Sequence, residues 1–219
     1  TSRKERARIL RRIADLIRQH QAELATLESL DNGKLYKEAY NDDLTECADI
    51  FDYYAGWTDK FYGETCPVEG SFLSYTLREP VGVCGLIVPW NFPLLLACWK
   101  LAPALAMGNT VVLKPSSVTS LSAIRFAEIL HENEVLPAGV FNLILGSGKV
   151  GSILSRHHGV DKVSFTGSTS VGKQLVHDSA DSNLKTVTLE LGGKSPNIIF
   201  ADAPDMEYAI ERSFYGLFT

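Results

Sequence analysis

From Gly82 onward the chain alternates short apolar runs with amphipathic stretches, and no other feature constrains its fold as strongly. The pattern predicts strands at 82–88, 110–114, 140–145, 161–165 and 185–190, separated by helices at 94–107, 119–133, 150–157 and 169–180. Strands joined by helical crossovers lie parallel in one sheet with helices on both faces, so the predicted class is α/β with a doubly wound parallel sheet. In such a sheet a ligand sits at the carboxyl ends of the strands. Three predicted ends carry suggestive runs: Pro89-Trp90-Asn91, Lys114-Pro115-Ser116-Ser117 and Thr166-Gly167-Ser168-Thr169.

Ahead of the alternation, Ile9, Ile13, Leu16, Ile17, Leu24, Leu27 and Leu30 keep one apolar stripe, and Asn32-Gly33 supplies a helix stop. A second helix is expected from Asp42 to Trp57, its early acidic residues suiting the positive end of the helix dipole. Ser71 to Arg78, rich in aromatic and β-branched residues, reads as extended structure. A further helix is expected from Asp205 to Phe218.

Composition narrows the function classes. With 45% hydrophobic residues, 21% charged residues and a net charge of -5, the chain reads as a soluble globular protein. The basic stretch from Arg3 to Arg18 shares its helix with the apolar stripe, so it is a solvated face, and nucleic acid is not an expected partner. No apolar run has the length of a membrane span, and the expected setting is the cytoplasm or another reducing intracellular compartment. Cys47, Cys66, Cys84 and Cys98 form no CxxC pair and no ligand-like spacing with His157 or His158; no metal site is expected, and the cysteines read as small core hydrophobes.

Two glycine loops compete for phosphate binding. Gly146-Ser147-Gly148-Lys149-Val150-Gly151 fits GxGxxG between a strand and a helix, but no acidic residue follows at the distance that pattern requires. Gly167-Ser168-Thr169-Ser170-Val171-Gly172 also opens a helix, where hydroxyls and amide groups suit a pyrophosphate. Either one also reads as an ordinary capped strand-to-helix turn.

Taken in order and with their separations, Pro89-Trp90-Asn91-Phe92-Pro93, the Lys114 to Ser117 run, Phe165 to Gly172, and Leu189-Glu190-Leu191-Gly192-Gly193-Lys194-Ser195-Pro196-Asn197 resemble the aldehyde dehydrogenase superfamily. The resemblance extends over nearly the whole chain, including Asp31-Asn32-Gly33-Lys34. It implies a Rossmann-like dinucleotide-binding domain formed by residues 1–67 and 85–189, oligomerisation strands at 68–84, and the start of a catalytic domain at 190–219. The full-length subunit is expected to be a homodimer or homotetramer.

The activity implied is oxidation of an aldehyde by NAD or NADP through a cysteine thiohemiacetal and thioester. By resemblance Asn91 donates to the oxyanion, Glu190 is the general base, and Lys100 assists proton relay, although Lys100 reads equally as a snorkelling lysine. Glu190 is expected at the end of a buried strand. The implied cofactor contacts are Val88, Pro89, Trp90, Asn91, Lys114, Ser116, Ser117, Gly148, Gly151, Phe165, Gly167, Ser168, Val171, Leu191 and Gly192. Phe92, Leu96 and Trp99, at spacings of four and three, fall on one helix face, either as core or as the apolar tunnel of the family. By the same resemblance the nucleophilic cysteine falls a few residues after Thr219, so the chain reads as an inactive amino-terminal portion. Cys98, mid-helix with no supporting base, is expected to be core. A nucleotide-binding or structural protein that keeps this scaffold without turnover is the alternative.

Overall fold

The computed structural model describes residues 1–218. Helices α1 (Arg3–Gln19) and α2 (Gln21–Asn32) open the chain, followed by α3 (Tyr36–Glu38), a π-helical turn (Ala39–Asp43) and α4 (Leu44–Ala55). A small antiparallel ribbon, β1 (Thr65–Cys66) with β2 (Ser74–Tyr75), precedes the alternating part: β3 (Val83–Ile87), α5 (Pro93–Ala106), β4 (Thr110–Lys114), α6 (Leu121–Glu132), β5 (Phe141–Leu143), α7 (Gly148–Arg156), β6 (Lys162–Gly167), α8 (Thr169–Ala180) and β7 (Thr186–Leu191). A final helix, α9 (Met206–Phe218), lies exposed beyond it.

Local chemistry explains most boundaries. Ser2 caps α1 by accepting from the Glu5 amide at 3.2 Å, the first half of a capping box. Gly33 ends α2 in the left-handed conformation, φ 87°, where a side chain would be strained. Pro93 occupies the first turn of α5, where its missing amide hydrogen costs nothing. Ser168 caps α8 by accepting from Val171. The single long stripe expected from Ile9 to Leu30 is two helices, because the chain breaks at His20 while the apolar period carries on.

The five-stranded sheet is parallel throughout, in the order β5-β4-β3-β6-β7. From β3 the chain winds outward through β4 to β5, then crosses back to lay β6 on the other side of β3. The winding therefore reverses between β3 and β6, which is the point where open α/β sheets form their binding crevice.

Register decides which side chains share a face. Cys84 and Leu86 of β3 stand beside Val111 and Leu113 of β4 on one side and Lys162 and Ser164 of β6 on the other; Ser164 in turn pairs with Thr188, and Thr166 with Glu190, of β7. Over β3 and β4 this face is covered by α1, α4, α5 and α6, with Leu10, Ile13, Ile17, Phe51, Leu94, Leu101 and Phe126 fully buried. Each contributes about 1.5–3 kcal/mol of transfer free energy. The opposite face carries Ile87, Val163 and Phe165 under Leu154 and Leu175 from α7 and α8. Over β6 and β7 the first face is uncovered and polar.

Cys47, Cys84 and Cys98 are buried as expected, whereas Cys66 is only half-buried on the ribbon. Among the described residues β7 is the outermost strand on its side of the sheet, and Glu190 is exposed there rather than buried as expected. No helix among the described residues is long and apolar enough to cross a membrane.

Candidate active site

The uncovered half of the sheet is the floor of a groove of about 1570 Å³. Its floor is Lys162, Ser164 and Thr166 from β6 with Thr188 and Glu190 from β7; one wall is Leu96, Trp99 and Lys100 from α5. Pro89, Trp90 and Asn91 close the end where β3 gives way to α5, and Gly167, Ser168, Leu191 and Gly192 lie across the switch point from them. Three residues expected to carry chemistry, Asn91, Lys100 and Glu190, thus line one cavity despite coming from three different elements.

Lys100 reaches across the groove. Its Nζ donates to Ser164 Oγ at 3.0 Å. Burial lowers its pKa below the ordinary lysine value, the Glu190 carboxylate acts in the opposite direction, and the Lys162 ammonium lowers it further. Lys100 therefore feels both the base expected from the sequence and a second cation beneath it. Cys84 also lines the groove, but its thiol is buried and burial raises its pKa, which makes it a poor nucleophile. Cys98 is fully buried in contact with Cys47 in the α4–α5 interface.

The remaining proposed cofactor residues gather at the strand ends outside this groove. Lys114 is buried, its Nζ donates to the Pro115 carbonyl at 3.0 Å, and burial lowers its pKa. Its stem faces Gly151 of α7: a β-carbon at Gly151 would meet Lys114 Cδ at 3.6 Å and Ile87 Cδ1 at 3.8 Å. Ser116 and the exposed Ser117 form the turn after β4, and Val88 donates its amide to the Lys114 carbonyl. Gly148 at the start of α7 is exposed with open space around it. Val171, on the first turn of α8, is half exposed. Phe165 is buried in the second core, and its ring lies where a Gly167 side chain would be, 2.5 Å from an added β-carbon. Gly172 lies close to the Leu191 side chain, whose Cδ2 would be 2.6 Å from a β-carbon placed there.

These positions run from the end of β4 past β3 and β6 to the end of β7, three strand spacings or about 14 Å. Lys114 and the serine hydroxyls lie on the outer side of this row, the amino-terminal turn of α8 at its centre, and the groove at its inner end. The tunnel expectation divides. Leu96 and Trp99 line the groove, but the Phe92 ring lies outside it, under Lys34 Nζ at 4.2 Å from the ring centroid. Sequence reading named Thr166 only within a strand-end run and did not single out Ser164 or Thr188. Period-two alternation of polar Lys162, Ser164 and Thr166 with apolar Val163 and Phe165 is the signal that marks them.

Comparisons with known proteins agree with this geometry. Residues 1–219 match the model of the "Aldehyde dehydrogenase family". The chain is 52% identical to human "Retinal dehydrogenase 2" over 215 residues, 98% of this chain and 41% of that protein. It is 52% identical to human "Aldehyde dehydrogenase, mitochondrial" over 214 residues, 97% of this chain and 41% of that one. Among solved structures, the "NAD+ complex structure of aldehyde dehydrogenase from bacillus cereus" superposes with a TM-score of 0.93 at 49% identity, covering 99% of this chain and 44% of the other. The chain therefore spans about two fifths of the length of these relatives. The switch-point groove, the motif residues that line it and a match over the whole length lead to one conclusion: this chain belongs to the aldehyde dehydrogenase family.

Proposed function

We propose that the full-length subunit oxidises an aldehyde to a carboxylic acid with NAD or NADP, and that residues 1–219 supply its cofactor-binding framework, its oxyanion donor and its general base. The observation that carries this reading is the parallel register of Thr166 with Glu190, which sets Glu190 in the same groove as Asn91 and Lys100. A thiolate from the part of the subunit beyond residue 219 adds to the aldehyde carbon, and the carbonyl electron pair moves onto oxygen. The Asn91 side-chain amide donates to that oxygen, where charge develops. Bound at the strand ends, the dinucleotide would accept a hydride from the adduct carbon; as that C–H bond breaks, the electron pair on oxygen re-forms the carbonyl and leaves a thioester on the thiolate's sulfur. Glu190 then takes a proton from water as the water oxygen attacks the thioester carbon, and the thiolate departs with its electron pair. Lys100, held by Ser164 and within the field of Glu190, steers that proton.

In the same reading, residues 1–67 and 85–189 are the dinucleotide-binding unit, 68–84 the oligomerisation strands, and 190–219 the opening of the catalytic unit. The β1–β2 ribbon exposes Phe72, Leu73, Tyr75 and Leu77, a strip suited to docking on a second copy, so a homodimer or homotetramer is the assembly we propose. Leu96 and Trp99 favour aliphatic or aromatic aldehydes over carboxylate-bearing semialdehydes. A reducing intracellular compartment is the setting we propose, on the reading of the cysteines as core residues, which Cys47, Cys84 and Cys98 fit.

The test is NADH or NADPH formation by the full-length subunit with hexanal and with succinic semialdehyde. Asn91→Ala and Glu190→Gln should each reduce kcat by about 10²–10³-fold. Wild-type kcat retained in both variants overturns the roles, and preference for succinic semialdehyde overturns the substrate class.

A further inference from the structure

Five contacts join the end of α2 and the residues just after it to the loop that carries Asn91 and to the helices beside it. Asn32 Nδ2 donates to the Trp90 carbonyl at 2.6 Å. Lys34 Nζ stands over the Phe92 ring at 4.2 Å from its centroid. Glu28 Oε1 accepts from the Leu94 amide at 3.2 Å and from the Ser122 hydroxyl. Asp31 Oδ2 accepts from the Leu121 amide at 2.8 Å and fixes the turn to the start of α6. The residue before Asn91, the residue after it and the third residue beyond are thus each held from outside the groove.

We propose that the turn from Glu28 to Lys34 is the platform that positions Asn91, and that Asn32 is a positioning residue acting through the Trp90 carbonyl. The inference rests on Asn91 being the oxyanion donor. The physical demand is strict, because a donor stabilises a developing oxyanion only when held at hydrogen-bond distance before the charge appears, and a misplacement of about 1 Å can cost about a hundredfold in rate. Pro89 and Pro93 stiffen the loop but lack amide hydrogens, so the backbone around Asn91 has fewer donors with which to anchor itself. Its carbonyls and side chains must be gripped from elsewhere. Asn32 has the required chemistry, since an amide nitrogen donates to a carbonyl whereas a carboxylate of the same shape cannot.

Geometry within the platform is consistent with this role. Gly33, at φ 87°, turns the chain so that Asn32 and Lys34 both face the loop, and no atom lies within 4 Å of a β-carbon placed there; its requirement is conformational. Lys34 is further held by Asp43 of the π-helical turn, in a pair that is largely buried. Glu28 is 1% exposed, and its second oxygen, Oε2, has no hydrogen-bond partner. A buried carboxylate with an orphan oxygen is costly, and here it is retained where it anchors the first turn of α5.

The experiment is a double-mutant cycle in the full-length subunit, measuring kcat, KM for the cofactor and KM for hexanal. Asn32→Asp, with Asn32→Ala as a second variant if the first folds poorly, should lower kcat about 10- to 100-fold with little change in cofactor KM. Combined with Asn91→Ala, neither Asn32 variant should lower kcat beyond Asn91→Ala alone, because a positioning residue has no effect once the group it positions is gone. Losses that add in the double variant, or Asn32 variants within twofold of wild type, overturn this inference while leaving Asn91 as the donor. If Asn91→Ala itself retains wild-type kcat, the functional reading of Asn91 fails first, and the inference with it.

Discussion

Lys100 Nζ and Ser164 Oγ lie 3.0 Å apart, a hydrogen bond that ties α5 to the uncovered half of the sheet inside the groove. Without it the lysine would be an ordinary amphipathic side chain on a helix flank. With it, the ammonium is drawn over a polar floor where Glu190 and Lys162 act on it in opposite senses.

That opposition yields a measurable sign. Burial lowers the Lys100 pKa, Glu190 raises it and Lys162 lowers it. Glu190→Gln removes the influence that favours the charged form, so the pKa should fall further and the neutral amine should be more abundant at pH 8. Lys162→Met should do the reverse. Competitive labelling of Lys100 with an amine reagent, read by peptide mass spectrometry, should show faster modification in Glu190→Gln than in wild type and slower modification in Lys162→Met. Equal rates in all three would mean that the groove does not couple these groups.

Much of this arrangement was legible in the sequence. The apolar runs separated by capped helices placed β4 at 110–114 and α8 at 169–180, matching the structure, because both elements have unambiguous local signals: β-branched and apolar residues in one, a serine cap in the other. Two of the three runs at predicted strand ends, Pro89 to Asn91 and Thr166 to Ser168, line one groove. The clamp on Asn91 was not legible, since Asn32 is 58 residues from Trp90 and Glu28 is 66 from Leu94, and no local pattern reports a contact over that separation. The break at His20 was hidden because the 3.6-residue period runs through it.

Glu28 should make stability depend on pH. Burial, the dominant cause, pushes its pKa up to about 7 from an ordinary 4.5; hydrogen bonds from Ser122 and Leu94 and the Lys34 charge oppose the rise, and Asp43 adds to it. Between those two values the folded state holds the proton more tightly than the unfolded chain, so stability falls as pH rises through the window and the loss is complete above it. The scale is about 3 kcal/mol at most. Glu28→Gln removes the titration while keeping an acceptor for Leu94. Urea denaturation at pH 5 and pH 8 should show the variant gaining on wild type at the higher pH. A constant difference at both would sink the assignment.

Asp178 should behave in the opposite way. Its side chain is fully buried, and burial by itself would raise its pKa. Hydrogen bonds from Ser155, Gln174, Arg156 and Ser152 outweigh that effect and lower it. Stability from a depressed carboxylate is present above its unfolded pKa and lost as pH falls through the folded one. Because Asp178 joins α7 to α8 through the hydroxyls of Ser152 and Ser155 as well as through Arg156, Asp178→Ala removes several hydrogen bonds at once and should cost about 1–3 kcal/mol. Arg156→Ala should cost less, since the pair is half exposed on the arginine side and the carboxylate keeps its bonds from Ser152, Ser155 and Gln174. Comparable losses for the two variants, measured by urea denaturation at pH 7, would contradict this account.

Cofactor choice should turn on Ser117. It is exposed on the turn after β4, three residues beyond Lys114, where the ribose end of a dinucleotide lies in the proposed binding path. A serine there offers a hydroxyl to either a ribose hydroxyl or a 2′-phosphate and repels neither, so both NAD and NADP should bind. Ser117→Glu places a carboxylate against the phosphate. Two unit charges about 4 Å apart repel by about 1 kcal/mol in bulk water and about 4 kcal/mol at an effective dielectric constant near 20, and each 1.4 kcal/mol is tenfold in affinity. The variant should therefore bind NADP at least tenfold more weakly than wild type while its NAD affinity changes by less than about threefold, since a glutamate can still accept from ribose hydroxyls. Fluorescence titration of the full-length subunit with each nucleotide measures both constants. Wild-type protein that binds NAD but not NADP would show that another group already excludes the phosphate. Unchanged NADP affinity in Ser117→Glu would place the ribose away from this turn.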